Sequence, residues 1–293
     1  MTEQLPGQGQ VFLDHVAHFA PIMEPAAEAL ERCGFHLTPF TVQTNRVDGK
    51  PVAAGTGNRC AMFRRGYIEI LVAMSDTLLS RQLTERLAWH IGIHLAAFST
   101  ADAANEHERL AAAGFPVLPL IDMRRPVGNI ADDQWARFTI ARIAPGIMPE
   151  GRVQFLTHHT EELVWRDPFL DHPNGALMLA GLWIAATDPA EPASRFARFT
   201  GRPARQQGEV STIRLDRGIL RVATAEYLES KFGIDPRPPL PHLAAYEITV
   251  ESLPRLRKCL DAAGVTYALV DRTVALPLPA SIGGTILFRD TRA

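Results

Sequence analysis

Four short segments of this chain end in the same way, with a helix-forming stretch closed by a glycine. They are Glu31-Arg32-Cys33-Gly34-Phe35, Ala111-Ala112-Ala113-Gly114-Phe115, Arg198-Phe199-Thr200-Gly201-Arg202 and Ala262-Ala263-Gly264-Val265. Glycine just past a helix takes a left-handed turn that side chains resist. Each joint therefore sends the chain straight from a helix into an extended segment. An apolar run precedes each helix, and further apolar runs follow it, so the chain reads as four strand–helix–strands modules. One such unit leaves a sheet face uncovered, and units of this kind must pair to enclose a core.

The modules differ where they open. The first begins Leu13-Asp14-His15-Val16 and the second Gly92-Ile93-His94-Leu95. Modules three and four have Trp183 and Ala244 near that place. Metal-type side chains are thus concentrated in the first half. Within module one, residues 21–33 read as a helix with Ala26, Leu30 and Cys33 on one stripe. Residues 35–41 read as a strand and 43–58 as a loop, from their Asn, Asp, Gly and Pro content. Cys60–Phe63 and Tyr67–Val72 read as a hairpin around Arg64-Arg65-Gly66. In module two, 91–98 is a strand, Ser99 or Thr100 the helix cap, and 115–121, 135–143 and 152–157 the later strands. Module three starts at 182–186 and module four at 244–250, with its helix opening at Ser252. Residues 166–174, with Pro168 and Pro173, read as a linker between two paired-module domains, 10–165 and 174–292.

Composition narrows the class. The 293 residues are 46% hydrophobic with a formal net charge of −2, which gives no general attraction to nucleic acid or an anionic membrane. No run approaches the roughly 18 apolar residues of a membrane span. The polar N-terminus lacks a signal-peptide core. Three cysteines, Cys33, Cys60 and Cys259, have no metal or redox spacing. A cytoplasmic setting is expected, with a small-molecule substrate and a possible homodimer.

The repeated βαβββ pattern, together with Leu13-Asp14-His15-Val16, Tyr67-Ile68-Glu69-Ile70 and Gly92-Ile93-His94-Leu95, resembles the vicinal oxygen chelate superfamily, and within it the two-domain glyoxalase-like proteins. The resemblance covers residues 11–290. It implies an α+β fold of four βαβββ modules, paired into two glyoxalase/dihydroxybiphenyl-dioxygenase-like domains. It also implies a cleft holding a divalent metal (Fe, Mn, Ni, Co or Zn) on the first and last strands of the paired modules. Carried over, the ligands are His15, Glu69 and His94, with Gln154 in the fourth place as a ligand or a partner of metal-bound water. Glu69 and Gln154 are then the catalytic candidates. Many glyoxalases have a carboxylate where Gln154 stands, and ring-cleaving dioxygenases usually have their glutamate there.

Asn58, Arg59, Arg152 and His158 are candidates for substrate contact. Each also has a plain reading: Asn58 and Arg59 as surface residues, Arg152 in a strand-end salt bridge, His158 as a structural side chain. His158-His159 is no ligand pair, since neighbouring strand residues point oppositely. His172 reads as structural. The function implied by the resemblance is a metal-dependent isomerase, lyase or dioxygenase acting on a small oxygenated molecule. The alternatives are a metal-free binding protein that uses the same cleft and a structural dimerising protein. The C-terminal domain is expected to lack metal ligands, with Arg221 near the glutamate position.

Overall fold

The computed structural model describes residues 4–47, 50–127 and 134–291. Module one comprises β1 (Phe12–Phe19), α1 (Met23–Arg32), β2 (Thr41–Val47), β3 (Lys50–Met62) and β4 (Tyr67–Ala73). A helix outside the repeat, α2 (Leu78–Leu87), leads to module two: β5 (Gly92–Ser99), α3 (Ala103–Ala112), β6 (Ile121–Pro126), β7 (Trp135–Arg142) and β8 (Arg152–His158). The short α4 (Glu161–Val164) and a 3-10 turn at Asp167–Phe169 cross to the second half. Module three is β9 (Ala176–Ala186), α5 (Ala190–Thr200), β10 (Ala204–Gln207), β11 (Val210–Arg214) and β12 (Ile219–Thr224), followed by α6 (Ala225–Phe232). Module four is β13 (His242–Val250), α7 (Leu253–Ala262), β14 (Ala268–Val270), β15 (Thr273–Pro277) and β16 (Thr285–Asp290). The fold is α+β, built from the βαβββ repeat.

Each module orders its strands alike, with the last strand parallel to the first and the two middle strands outside. In the first half β1 pairs antiparallel with β5, and β2 meets β6 at Thr44–Arg124 and Asn45–Met123. Both sides are joined, so the eight strands form a closed ring. In the second half β9 pairs with β13, and among the described residues the ring stays open between β10 and β14. The pairing of Leu243 with Ile93 stitches the halves into one sheet, and the isolated bridges Phe12–Arg217 and Arg65–Met178 join them elsewhere.

The segment expected as a loop, 43–58, is instead mostly strand; 48–49 lie outside the described residues. The polar and glycine content that suggested a loop has two other causes. Gln43, Thr56 and Asn58 are buried polar residues linked to one another or to Glu69 inside the ring. The glycines allow close approach: a Cβ on Gly57 would come within 2.2 Å of the Phe40 ring. Residues 115–120, expected as strand, are irregular, and β6 begins at Ile121. The α3 cap is Asp102, whose carboxylate accepts from the Ala104 and Asn105 N–H groups, rather than Ser99 or Thr100. Both are buried: Ser99 ends β5 and Thr100 directly follows it.

The outer sheet faces pack the halves together crosswise. Phe199 of α5 stacks on Phe155 of β8 at 5.0 Å, joining modules three and two. Phe35 stacks on Phe288 at 6.1 Å, joining modules one and four. Burying each such ring contributes roughly 1.5–3 kcal/mol. The linker is pinned to module one, where His172 Nδ1 accepts from the His36 N–H and Nε2 lies 2.7 Å from the Met62 carbonyl oxygen. This agrees with the structural reading of His172.

Gly34 and Gly114 both sit at φ +81°, yet only Gly34 lies in this seam. A Cβ there would meet Cys259 Sγ at 2.6 Å and the Asn174 backbone nitrogen at 3.1 Å, whereas one on Gly114 would meet nothing within 4 Å. Gly114→Ala should therefore cost only the left-handed penalty, about 1–2 kcal/mol. Gly34→Ala should cost about 1–3 kcal/mol more, from overpacking. Denaturant melts of the two variants check this, and equal losses would mean that the seam is not tightly packed.

Candidate active site

Strand pairing decides which side chains enter the first-half ring. Along β1, His15 is level with Tyr67 of β4, and Ala17 with Glu69. Along β5, Leu95 is level with Arg152 of β8, and Ala97 with Gln154. Across the β1–β5 seam His15 faces Ala97, and Ala17 faces Leu95. The two modules are thus related with Glu69 matching Gln154, and His15 matching Leu95. The register skips once at Asp14 and once at His94, so these two residues are each other's counterparts, each at a bulge. The sequence alignment of His15 with His94 is one residue out. In a strand a slip of one residue moves a side chain to the other face.

The chamber inside the ring has a volume of about 70 Å³, and His15, Glu69, Asn58, Gln43, Gln154 and Arg152 are among its lining residues. His15 stacks on Tyr67, with centroids 4.3 Å apart and planes 18° apart. Its Nδ1 is 2.7 Å from Asp14 Oδ1, and its Nε2 is 3.8 Å from Glu69 Oε2. The bulge lets the adjacent Asp14 side chain reach back to its neighbour's ring. Asp14 is fully buried, and its second oxygen receives His158 Nε2 at 2.9 Å. Burial alone would raise the Asp14 carboxyl, but the imidazoles of His158 and His15 outweigh it and hold the group far below the usual carboxylate range. An ionised Asp14 accepts from both rings. His15 then carries its proton on Nδ1 and turns Nε2 to the chamber.

Glu69 is oriented as firmly. Its Oε1 accepts from Gln43 Nε2 at 3.1 Å and from Asn58 Nδ2, and Gln43 in turn accepts from Thr56 Oγ1 at 2.7 Å. Oε2 is left pointing at His15. Arg125 also lines the chamber, against Cys60 Sγ at 3.9 Å. Burial pushes the Cys60 thiol up to about 12, so Cys60 stays a thiol.

The structure gathers His15, Glu69, Gln154, Asn58 and Arg152 around one chamber. It does not bring in His94, Arg59 or His158. Ring Nε2 of His94 is 2.8 Å from the His90 carbonyl oxygen, and its ring lies 4.1 Å from that of His90, in the seam with His242. Arg59 alternates outward from β3, bonding the Thr38 carbonyl oxygen and Glu31. His158 stands behind Asp14, packed on Trp165. Arg152 makes no strand-end salt bridge among the described residues. Asp14, Gln43, Arg125 and Arg142 were missed in the sequence reading. The pointers were there: a charged residue inside the apolar Phe12–Phe19 run, and polar residues at alternate positions in a supposed loop.

These placements decide the fit of a divalent metal. A three-ligand centre needs His15, Glu69 and His94 around one point. Among the described residues no three His, Cys, Asp or Glu side chains form such a group. The donor set does not fit the expected two-histidine, one-carboxylate site, because the third ligand sits on the wrong side of a bulge.

In the second half, register puts Gly181 and Ala245 where His15 and Leu95 stand, rather than Trp183 and Ala244. Arg221 does match Glu69 in position. The centre is occupied by a residue unforeseen from the sequence, Glu247. It receives Trp183 Nε1 and Arg221 at 2.7 Å, with Arg289 at 3.3 Å.

The histidines of the seam make stability depend on acid. Burial is the first cause in each: His18, His90 and His242 fall to about 4, and His94 to about 3, with His90 adding to the shifts of His94 and His242. A histidine lowered on folding takes up fewer protons in the native state than in the unfolded chain. Its stabilisation is complete above about pH 6.5 and is lost as pH falls toward 4. Denaturant melts at pH 7, 5.5 and 4.5 should show a loss on the order of a few kcal/mol, since each unit is worth about 1.4 kcal/mol. His242→Gln should flatten the profile; a flat wild-type profile would contradict the burial of neutral rings.

A family model described as a Glyoxalase-like domain matches residues 13–200. No curated protein sequence matches the chain. Among solved structures, a hypothetical protein from Staphylococcus aureus shares the fold at 11% identity, with a TM-score of 0.64, covering 96% of this chain and 99% of that one. A mutant of 4-hydroxymandelate synthase from Streptomyces coelicolor is 13% identical, with a TM-score of 0.56 over 96% of this chain and 93% of that one. A catechol 2,3-dioxygenase is 12% identical, with a TM-score of 0.56 over 97% and 88%. No helix among the described residues is long and apolar enough to cross a membrane. On the family match and the shared fold, the chain belongs to the Glyoxalase-like domain family, within the vicinal oxygen chelate superfamily.

Proposed function

We propose that the chain is a glyoxalase-like enzyme that moves a proton on a small oxygenated organic molecule, with His15 as the base. The observation that carries this reading is the buried Asp14–His15 pair, which turns Nε2 into a chamber against Glu69. A base must be held in one tautomer and aimed at the proton it takes. Asp14 does both. When Nε2 accepts a proton from carbon beside a carbonyl, the C–H electron pair passes to an enolate. The imidazolium that forms lies between two carboxyl groups, Asp14 and Glu69. The guanidinium group of Arg125 stands in the same chamber to balance the enolate oxygen. Return of the proton to a neighbouring atom gives isomerisation. Glu69 polarises the ring, while Gln154 supplies an amide to an oxygenated substrate.

The test is deuterium uptake from D2O by a panel of small 2-oxo and 2-hydroxy acids, followed by proton NMR. Wild type should exchange the proton on the carbon beside the ketone of a 2-oxo acid, or on the carbinol carbon of a 2-hydroxy acid. His15→Gln should lower the rate by about 10²–10⁴, the range for a positioned base. Asp14→Asn should lower it in the same range, because the ring loses its anchor. Exchange that vanishes on chelation would return the chemistry to a bound metal. Retained ligand binding with no exchange would favour a binding protein that uses the same cleft.

A further inference from the structure

Next to the chamber lies a much larger cavity of about 810 Å³, walled by α2, the start of β3 and the segment between β7 and β8. The two spaces share Leu79, Arg142 and Arg152 as lining. Most of the outer wall is apolar, including Phe19, Leu118, Ile143 and Met148. Trp89 and Leu78, at 55% and 74% exposure, leave large apolar side chains open to it. Its volume is that of a substrate-sized pocket, whereas the inner chamber admits only the reacting end.

Among the described residues no carboxylate pairs directly with either arginine at the junction, and the Glu69 charge in the chamber only partly offsets the burial of Arg152. Arg152 lies 5.8 Å over the Phe19 ring, and its hydrogen bond is one long contact of 3.4 Å to Gln82 Oε1. Arg142 makes no side-chain hydrogen bond among the described residues, and its Nε is buried without a partner. No carboxylate of the described residues lies within ion-pair distance of either. The other charged groups lining these spaces are otherwise placed. Glu69 is held by two amides and faces His15, Glu85 is exposed, and Arg86 bonds the Pro149 carbonyl oxygen over Trp89. Arg125 adds a third guanidinium on the chamber side. Both arginines are half-buried, and a guanidinium drawn out of water is normally paired, because the desolvation of an unpaired charge is costly. Here burial lowers both arginines, and Arg142 lowers Arg152 further, to about 10. Such a pair wants an anion that meets the guanidinium fork, a carboxylate or a phosphate, and the apolar wall of the adjoining cavity favours the carboxylate of an organic acid.

We propose that Arg142 and Arg152 bind the carboxylate of an organic acid, whose apolar body fills the outer cavity and whose adjacent oxygenated carbon enters the chamber. This rests on the proton-transfer reading for the orientation of the substrate, but not for its binding. The substrate class is then an amphipathic monocarboxylic acid.

Binding to the full chain is measured by calorimetry and thermal shift with three probes: 3-phenylpropanoate, 3-phenylpropanamide of the same shape, and inorganic phosphate. Wild type should bind the carboxylate at least tenfold tighter than the amide, and tighter than phosphate. Arg142→Gln and Arg152→Gln should each reduce that preference, and the double variant should abolish it. Without ligand, the double variant should melt no lower than wild type, since it removes unpaired charges. Equal binding of acid and amide, stronger binding of phosphate, no binding of either organic probe, or a preference that survives in the double variant would overturn the proposal. His15→Gln separates the two readings. It should keep the preference for the acid and lose deuterium exchange. Exchange independent of His15 with the preference intact would sink the proton-transfer reading alone, and exchange without the acid preference would sink this one alone.

Discussion

The pairing of β1 with β5 governs what the first half can do. Side chains alternate along each strand, so one register determines every residue that enters the ring. His15 and Ala17 from one strand, and Leu95 and Ala97 from the other, are carried inward together. Ala17 and Ala97 are small, which leaves room beside Glu69 and Gln154. The bulges at Asp14 and His94 then add one extra side chain per module. Asp14 bonds the imidazole that follows it. His94 reaches the backbone of His90 and the seam between the halves.

That arrangement places an ionised carboxylate where water cannot reach it. Isolated, Asp14 would be expensive to bury. Two imidazole N–H groups, one on each oxygen, offset the cost and hold the carboxylate in one orientation. Removing either ring would leave an oxygen unsatisfied, which is why His158 matters although it stands outside the chamber. Glu69 is treated differently. Its neutral amide partners position it without cancelling its charge, so its field still acts on His15.

The repeat was legible because glycine at a helix end has a specific backbone role. Gly34, Gly114, Gly201 and Gly264 all take positive φ, and each strand order follows from the joint. The pairing of Glu69 with Gln154 was legible too, since both lie in strands of clear alternation. His94 was not, because a bulge leaves no mark in apolar periodicity and shifts the face by one residue. The stretch 43–58 misled for a related reason: strands that line a polar chamber have the composition of a loop. Helix α2 had a signal in Leu79, Leu83 and Leu87, and in the Thr77–Ser80 reciprocal cap. That no carboxylate of the described residues pairs with Arg142 or Arg152 belongs to tertiary structure and has no counterpart in sequence.

Gly181 carries a consequence for the other half. It stands where His15 stands, and a Cβ there would already come within 3.3 Å of the Glu247 carboxyl carbon and 3.2 Å of Arg221 Nη1. The missing side chain makes room for a carboxylate grown from the protein's own backbone, gripped by two guanidinium groups and an indole N–H. The C-terminal half is in this sense self-saturated. It holds as a permanent internal ligand the kind of group that we propose Arg142 and Arg152 take from solution, so that of the two copies of the repeat one is open and the other plugged.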